Sequence, residues 1–420
     1  MNSCGCFEST LHYATPAHGG WGVVRMGMLA PESYQLFICP FACGRHGALG
    51  ALKQGLKDRI SYYYVDQSDI INGYDDLILN AVEELLRVLK KRPRAMFVFV
   101  SCLDDLIGTD CDAAEAELEL RHPDIQFRMA HMNPITLGSD EPPPIGIQKR
   151  IYSLLSKQPE RDGGVNSIGN LVAVDPECEL HKMLAQEGVS GLRHVSQYED
   201  FDKWQEMARS FASLVLMPPG MKAAKEMEAR CGIPYRFFPV SYDLDVVAEQ
   251  YRGIHEFLRP NASAAYDLTT DRQAAEKAVE HTVKKLGKLP LILDSSAVVR
   301  PFSLAKALGK YGFTVHRIFA QEVIPSDREA FEWVTEHMPT VEILQPEHND
   351  IVKFDRRFPG SLSIGVNAAY ISGSEHVVDL FADEGLFGYY GIRRLMELME
   401  EAADTVIDLR VLIEDYGLVV

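Results

Sequence analysis

Short apolar runs alternate along this chain with longer stretches whose apolar positions recur every three or four residues, the period of an amphipathic helix. In the first third, Gln35–Ile38, Ile60–Val65 and Ala95–Ser101 predict strands. Leu77, Ala81, Leu85 and Val88 mark one face of a helix over Asp75–Lys91, closed by Pro93. The stretch Gly138–Gly146 carries three consecutive prolines, Pro142 to Pro144, and continues neither element. A helix near Ile147–Ser156 then leads to a second polar stretch, Lys157–Gly164, which reads as a domain boundary.

The same alternation resumes with a strand at Ile168–Val174 and a helix over Glu177–Gln186, opened by Asp175-Pro176 and closed by Gly188. Strands follow at Leu192–Val195, Ser213–Met217 and Tyr235–Phe238, the last two flanking a helix from Met221 to Arg230. Asn261–Asp271 reads as a linker. Beyond it come strand Leu289–Asp294, helix Val298–Tyr311, strand Thr314–Phe319, helix Asp327–His337, strands Val341–Leu344 and Ser361–Gly365, and helix after Gly388. Val172-Ala-Val-Asp175 and Leu291-Ile-Leu-Asp294 fall at matching places, as if one unit were used three times. Regular strand–helix alternation predicts an α/β chain of parallel sheets flanked by helices. Its expected domains are 1–164, 165–265 and 266–420, since 420 residues exceed what one core normally holds.

Charge narrows the list of partners. Sixty acidic against 42 basic residues give a net charge of −18, which repels phosphate backbones, so nucleic acid is not expected. Apolar content is 46%, yet no run approaches the roughly 20 apolar residues of a membrane span. The opening Met1-Asn-Ser-Cys4-Gly-Cys6 has no basic or apolar segment, which speaks against a leader peptide and for a cytoplasmic protein. Phosphate-cradling signatures are missing as well: Gly47-Ala-Leu-Gly50 and Gly20-Trp-Gly22 lack the third glycine of a dinucleotide turn.

Eight cysteines are too few for a disulfide framework, but six of them, Cys4, Cys6, Cys39, Cys43, Cys102 and Cys111, lie within the first 111 residues. Cys39 and Cys102 each end a strand-like run. In a parallel sheet the loops leaving the carboxyl ends of the strands converge, so these thiols and Cys43 are candidates for one iron–sulfur or zinc centre. Buried thiols acting as small hydrophobes are the bland alternative. The spacing Cys39-x-x-x-Cys43 matches neither a redox dithiol nor a zinc ribbon.

Residues around Cys102 sharpen this. Ser101-Cys102-Leu-Asp-Asp-Leu-Ile107-Gly108-Thr-Asp110 resembles the Cys-x-x-x-x-Ile-Gly-Asp-Asp segment of the nitrogenase component 1 family. Ala17-His18-Gly-Gly-Trp-Gly22 resembles that family's first cluster segment with His18 in the cysteine's place, and the loop ending in Cys43-Gly44 resembles the second. Leu214-Val-Leu-Met217-Pro-Pro-Gly220-Met, Cys231-Gly-Ile-Pro-Tyr235 and Gly385-Leu-Phe-Gly-Tyr-Tyr-Gly391 resemble later motifs, so the likeness covers most of the chain. It implies three Rossmann-like domains and a 4Fe–4S or P-cluster-like iron–sulfur centre with metal ligands at Cys43 and Cys102; Cys39, which is not a standard family position, and His18 join them as candidates in a changed ligand set. His18 either ligates the cluster or lies beside it. It further implies pairing as a homodimer, or as a heterodimer or heterotetramer with a related subunit. Electrons would come from a separate ATP-dependent iron–sulfur reductase, which would explain the missing P-loop.

Departures from the family pattern limit the chemistry. Met217 and Leu386 or Phe387 stand where a cysteine and a histidine hold the iron–molybdenum cofactor, and such side chains are not its ligands, so that cofactor is not expected. His46 and His131 are candidate proton donors to a reduced substrate, or ordinary loop histidines. Cys111, Cys178 and Cys231 read as packing residues, and Asp104, Asp105 and Asp110 as partners of helix N-termini. The expected function is the iron–sulfur subunit of a nitrogenase-like reductase, an oxidoreductase acting on a tetrapyrrole or a small organosulfur compound. A non-catalytic scaffold for metal-cluster assembly is the alternative, and an iron-free sugar-nucleotide-binding or periplasmic-binding-like α/β protein a third.

Overall fold

Three parallel sheets form the frame of the computed structural model, which describes residues 15, 22–41, 43–44, 48, 51–52, 55–72, 75–132, 141–259, 266–348, 351, 353 and 357–415. The first holds β1 (Ser33–Cys39), β2 (Ile60–Tyr64), β3 (Ala95–Val100) and β4 (Gln126–His131) in the order β2-β1-β3-β4. The second holds β5 (Gly164–Ile168), β6 (Gly191–Arg193), β7 (Ala212–Val215) and β8 (Tyr235–Phe237) in the equivalent order, β6-β5-β7-β8. The third adds a strand and changes the order: β9 (Leu291–Asp294), β10 (Val315–Phe319), β11 (Glu342–Leu344), β12 (Leu362–Ile364) and β13 (His376–Val378) run β11-β10-β9-β12-β13. One α/β plan thus recurs, with the first two sheets sharing a topology that the third does not.

Strand pleating decides what each face of the first sheet touches. Tyr34, Leu36 and Ile38 of β1 enter a core with Ile78, Val82 and Leu85 of helix Asp75–Val88 and Leu118 of helix Cys111–Arg121. Phe37 and Cys39 point the other way, into a core with Ile147 and Ile151 of helix Pro143–Ser153 and Met227 of helix Gly220–Cys231. That second core includes Ile168 and Val215, so it joins the first sheet to the second. All six residues of β3, Ala-Met-Phe-Val-Phe-Val, are buried, and its larger side chains contribute about 1.5–3 kcal/mol each.

Several expectations shift. Helix 75–88 buries Ile78, Ala81, Val82 and Leu85, and Val88 is 72% exposed, because the inward stripe follows positions three and four apart from Ile78. The strand expected at Ile168–Val174 lies earlier, at Gly164–Ile168; its buried Asn166 and Ser167 hide it in the hydropathy pattern, and Gly169, at φ 102°, ends it. Asp294 therefore ends a strand whereas Asp175 lies in the irregular segment after β5, and the two are not equivalent. Helices Leu244–Leu258 and Thr269–Leu286 were not foreseen, and the second begins within the expected linker. Among the described residues no helix is long and apolar enough to cross a membrane.

Candidate metal centre

In the first sheet the chain leaves β1 toward β2 on one side and leaves β3 toward β4 on the other. β1 and β3 are neighbours, with Ile38 paired to Val100, so their carboxyl ends bound a crevice between diverging loops. Both cysteine-bearing loops start there.

Cys39, the last residue of β1, is fully buried. Pro40 follows and a helical turn begins, with the Cys43 and Gly44 amides donating to the Pro40 carbonyl at 2.9 and 3.3 Å. Cys43 is exposed as a residue. Cys102 is half-buried at the first position of helix Cys102–Ile107, directly after β3. Ser101 and Asp104 build a capping box there: the Ser101 amide donates to the Asp104 carboxylate at 2.9 Å and the Leu103 amide to the Ser101 hydroxyl at 3.3 Å. Asp104 is buried, so its carboxylate fixes the turn that presents Cys102.

The thiols sense one another. Burial, then Cys43 and Asp104, push the Cys39 thiol up to about 12. Burial and then Cys102 push the Cys43 thiol up as well. Thiols held in this way stay protonated without a metal, and a cationic centre is what would let them ionise as ligands. Among the described residues no three His, Cys, Asp or Glu side chains converge as they must on a single ion. The soft donors available here are thiols, the usual ligands of iron–sulfur clusters.

Two further features fit a group at this place. A methyl group built on Gly44 would lie 2.7 Å from the Tyr62 ring and 3.3 Å from the Cys39 sulfur, so the absence of a side chain at Gly44 lets the turn that carries Cys43 pack directly against Tyr62 and Cys39. The buried Tyr62 hydroxyl has no hydrogen-bond partner among the described residues. Phe41 is exposed two residues beyond Cys39, its ring 5.0 Å from that of Tyr64, and Leu106 and Ile107 are exposed at the far end of the helix that Cys102 opens. His131 ends β4 with Nδ1 3.4 Å from the Asp105 carboxylate, on the helix that begins with Cys102. The spacing of sequence motifs does not reveal Tyr62, which the pairing of β1 with β2 brings beside Cys39 and Gly44, nor that His131 and Asp105 meet.

His18 and His46, like Cys4 and Cys6, lie outside the described residues. Cys111 packs against the core on the far side of the sheet, its thiol pushed up to about 12 by burial and then Asp104, Asp105 and Asp112. Asp110 caps its helix through the Ala113 amide at 2.9 Å. Cys231 is buried, and Cys178 Sγ contacts the Phe387 carbonyl at 3.5 Å and the Tyr251 hydroxyl at 3.9 Å. Met217, Leu386 and Phe387 are all buried apolar residues.

Comparison with known proteins identifies the family and the fold. The family model described as nitrogenase component 1 type oxidoreductase matches residues 28–406. The nitrogenase iron-molybdenum cofactor biosynthesis protein NifE of Clostridium pasteurianum is 20% identical over 274 residues, which are 63% of this chain and 56% of that protein. The match thus spans little more than half the length of that relative. Two solved structures share the fold. Nitrogenase Cp1 at pH 6.5 has a TM-score of 0.71 and 14% identity, covering 95% of this chain and 94% of that one. Nitrogenase Cp1 at pH 5 gives 0.64 and 13%, covering 95% and 90%.

Proposed function

Because the chain belongs to the nitrogenase component 1 type oxidoreductases, we propose that it is the iron–sulfur subunit of a nitrogenase-like reductase. Cys43 and Cys102 hold the cluster in the β1/β3 crevice, and Cys39 and His18 complete the candidate ligand set. The observation that carries this reading is the gathering of three thiols where the two strand ends meet. A 4Fe–4S or P-cluster-like group bound there supplies one-electron transfer at low potential. The protein's own part is positional. The Ser101–Asp104 box orients Cys102, Gly44 lets the Cys43 turn pack against Tyr62 and Cys39, and exposed Phe41 and Tyr64 offer an apolar surface beside that turn for a partner to cover.

On this reading the subunit works as a homodimer or with a related subunit. It takes electrons from a separate ATP-dependent iron–sulfur reductase in the cytoplasm, where thiols remain reduced. His131, beside Asp105, is the candidate proton donor among the described residues. Apolar Met217, Leu386 and Phe387 support a protein without an iron–molybdenum cofactor.

Those same apolar positions, with the likeness to a protein named for cofactor biosynthesis, favour a second reading: a scaffold that assembles a cluster and passes it on. Anaerobic protein mixed with its cognate reductase and ATP separates the two. Sustained ATP-dependent substrate reduction supports the relay. A cluster that loads and then leaves for an acceptor protein, without turnover, supports the scaffold. His18→Ala reports on the ligand set, because a shifted potential or lowered occupancy makes His18 a ligand and unchanged values make it a neighbour.

A further inference from the structure

Residues 379–387, the segment between β13 and helix Gly388–Ala403, touch all three sheet units. The Ala382 and Asp383 amides donate to the Ser296 and Ala297 carbonyls of the third unit, each at 2.8 Å. Toward the second unit, the Gly385 carbonyl accepts from the Asp175 amide at 3.0 Å and the Asp383 carboxylate from the Tyr242 hydroxyl at 2.7 Å. Toward the first, Glu384 pairs with Arg25 of helix Gly22–Gly27.

At the centre of these contacts the backbone is strained. Ala382 and Asp383 have φ of 48° and 54°, a left-handed conformation that non-glycine residues keep only where their surroundings over-determine it. Asp383 is 3% exposed, and its carboxylate also accepts from the Val299 amide at 2.8 Å. The charged groups facing it are Arg300 and Asp327. Arg300 donates to the Ser326 and Val240 carbonyls and stands 3.9 Å from Asp327, so the positive charge nearest Asp383 is shared with a second buried carboxylate.

We propose that residues 379–387 form a proton-sensitive latch between the three sheet units, with the Asp383 carboxylate as its sensor. Burial raises this carboxyl to about 6, against 3.8 for an ordinary one, and Tyr242, the Val299 amide and Arg300 offset only part of that. The closed latch therefore binds the proton more tightly than a latch opened to water. By linkage, opening grows as pH rises through the interval from about 4 to about 6 and levels off above it. Acid closes the latch and neutral pH loosens it, whether or not a cluster is bound.

Hydrogen exchange of the full-length protein tests this, with peptides covering 379–387 and 296–300 followed from pH 4.5 to 7.5 and corrected for intrinsic exchange. Protection in wild type should fall about 20-fold, with its midpoint on a logarithmic scale near 5. Asp383→Asn keeps the shape and tolerates the left-handed backbone, and should abolish the fall. Tyr242→Phe removes a donor that lowers this carboxyl and should keep the fall with its midpoint moved to higher pH. A flat wild-type profile, the full fall retained in Asp383→Asn, or an equal fall in peptides from β3 would overturn the latch.

Discussion

Replacing Gly44 by Ala tests how tightly the sulfur crevice is built. The new methyl group would sit 2.7 and 3.2 Å from two ring carbons of Tyr62 and 3.3 Å from Cys39 Sγ. Neither neighbour yields easily. Tyr62 lies on β2 opposite Phe37, its ring 5.4 Å from that of Phe37, which stacks on Phe99 at 4.5 Å. Overpacking of this kind costs about 1–3 kcal/mol. Gly44 lies in a helical turn, so alanine also recovers about 0.5–1 kcal/mol of backbone preference. The clash wins, with a net loss of about 0.5–2 kcal/mol and lower iron per chain. Anaerobic urea unfolding and iron analysis measure both. In a Tyr62→Leu background the clash is relieved, and the same substitution should be neutral or stabilising by up to about 1 kcal/mol. Stabilisation by Gly44→Ala in the wild-type background, with full iron retained, would refute the packing argument.

Other substitutions probe the frame around the site. Glu179 is buried and accepts from the Tyr251 hydroxyl and from the Tyr389 and Tyr390 amides, tying helix Glu179–Gln186 to the start of helix Gly388–Ala403. Glu179→Ala orphans three donors at about 1–3 kcal/mol each, so urea unfolding should show a loss of at least about 3 kcal/mol; a loss below about 1 would contradict this anchoring role. His194 is buried against the Asn170 carbonyl at 2.9 Å, and burial lowers it to about 4. Its folded pKa lies below its unfolded value of about 6.5, so the stability it contributes is present above pH 6.5 and is lost, by about 3 kcal/mol, as pH falls toward 4. The difference in stability between wild type and His194→Gln should narrow over that interval, and a constant difference would rule the coupling out.

Much of this was legible because it rests on local pattern. The runs ending at Cys39 and Cys102 became β1 and β3, and Gly188 follows the helix it was expected to close, at φ 76°. Asp104 and Asp110 cap the helices that their positions suggested. What stayed hidden depends on long-range contact. Asn166 and Ser167 are buried by neighbouring strands although their side chains are polar, so β5 did not read as a strand. The closeness of Gly44, Tyr62 and Cys39 follows from the pairing of β1 with β2, over which sequence spacing has no hold. The sensor Asp383 gains its character from burial, offset in part by Tyr242, Val299 and Arg300, all far away in the chain.

The central claim is that the thiols of the β1/β3 crevice bind an iron–sulfur cluster. It is tested most directly by anaerobic iron and sulfide analysis, with electron paramagnetic resonance of the dithionite-reduced protein, on wild type, Cys43→Ala, Cys102→Ala and Cys178→Ala. Wild type and Cys178→Ala should carry the cluster, since Cys178 is buried in the second and third units' core with its thiol against the Phe387 carbonyl and the Tyr251 hydroxyl. Cys43→Ala and Cys102→Ala should each lose most of it. A colourless, iron-free wild-type protein of full stability, or equal iron in all four proteins, would contradict the account.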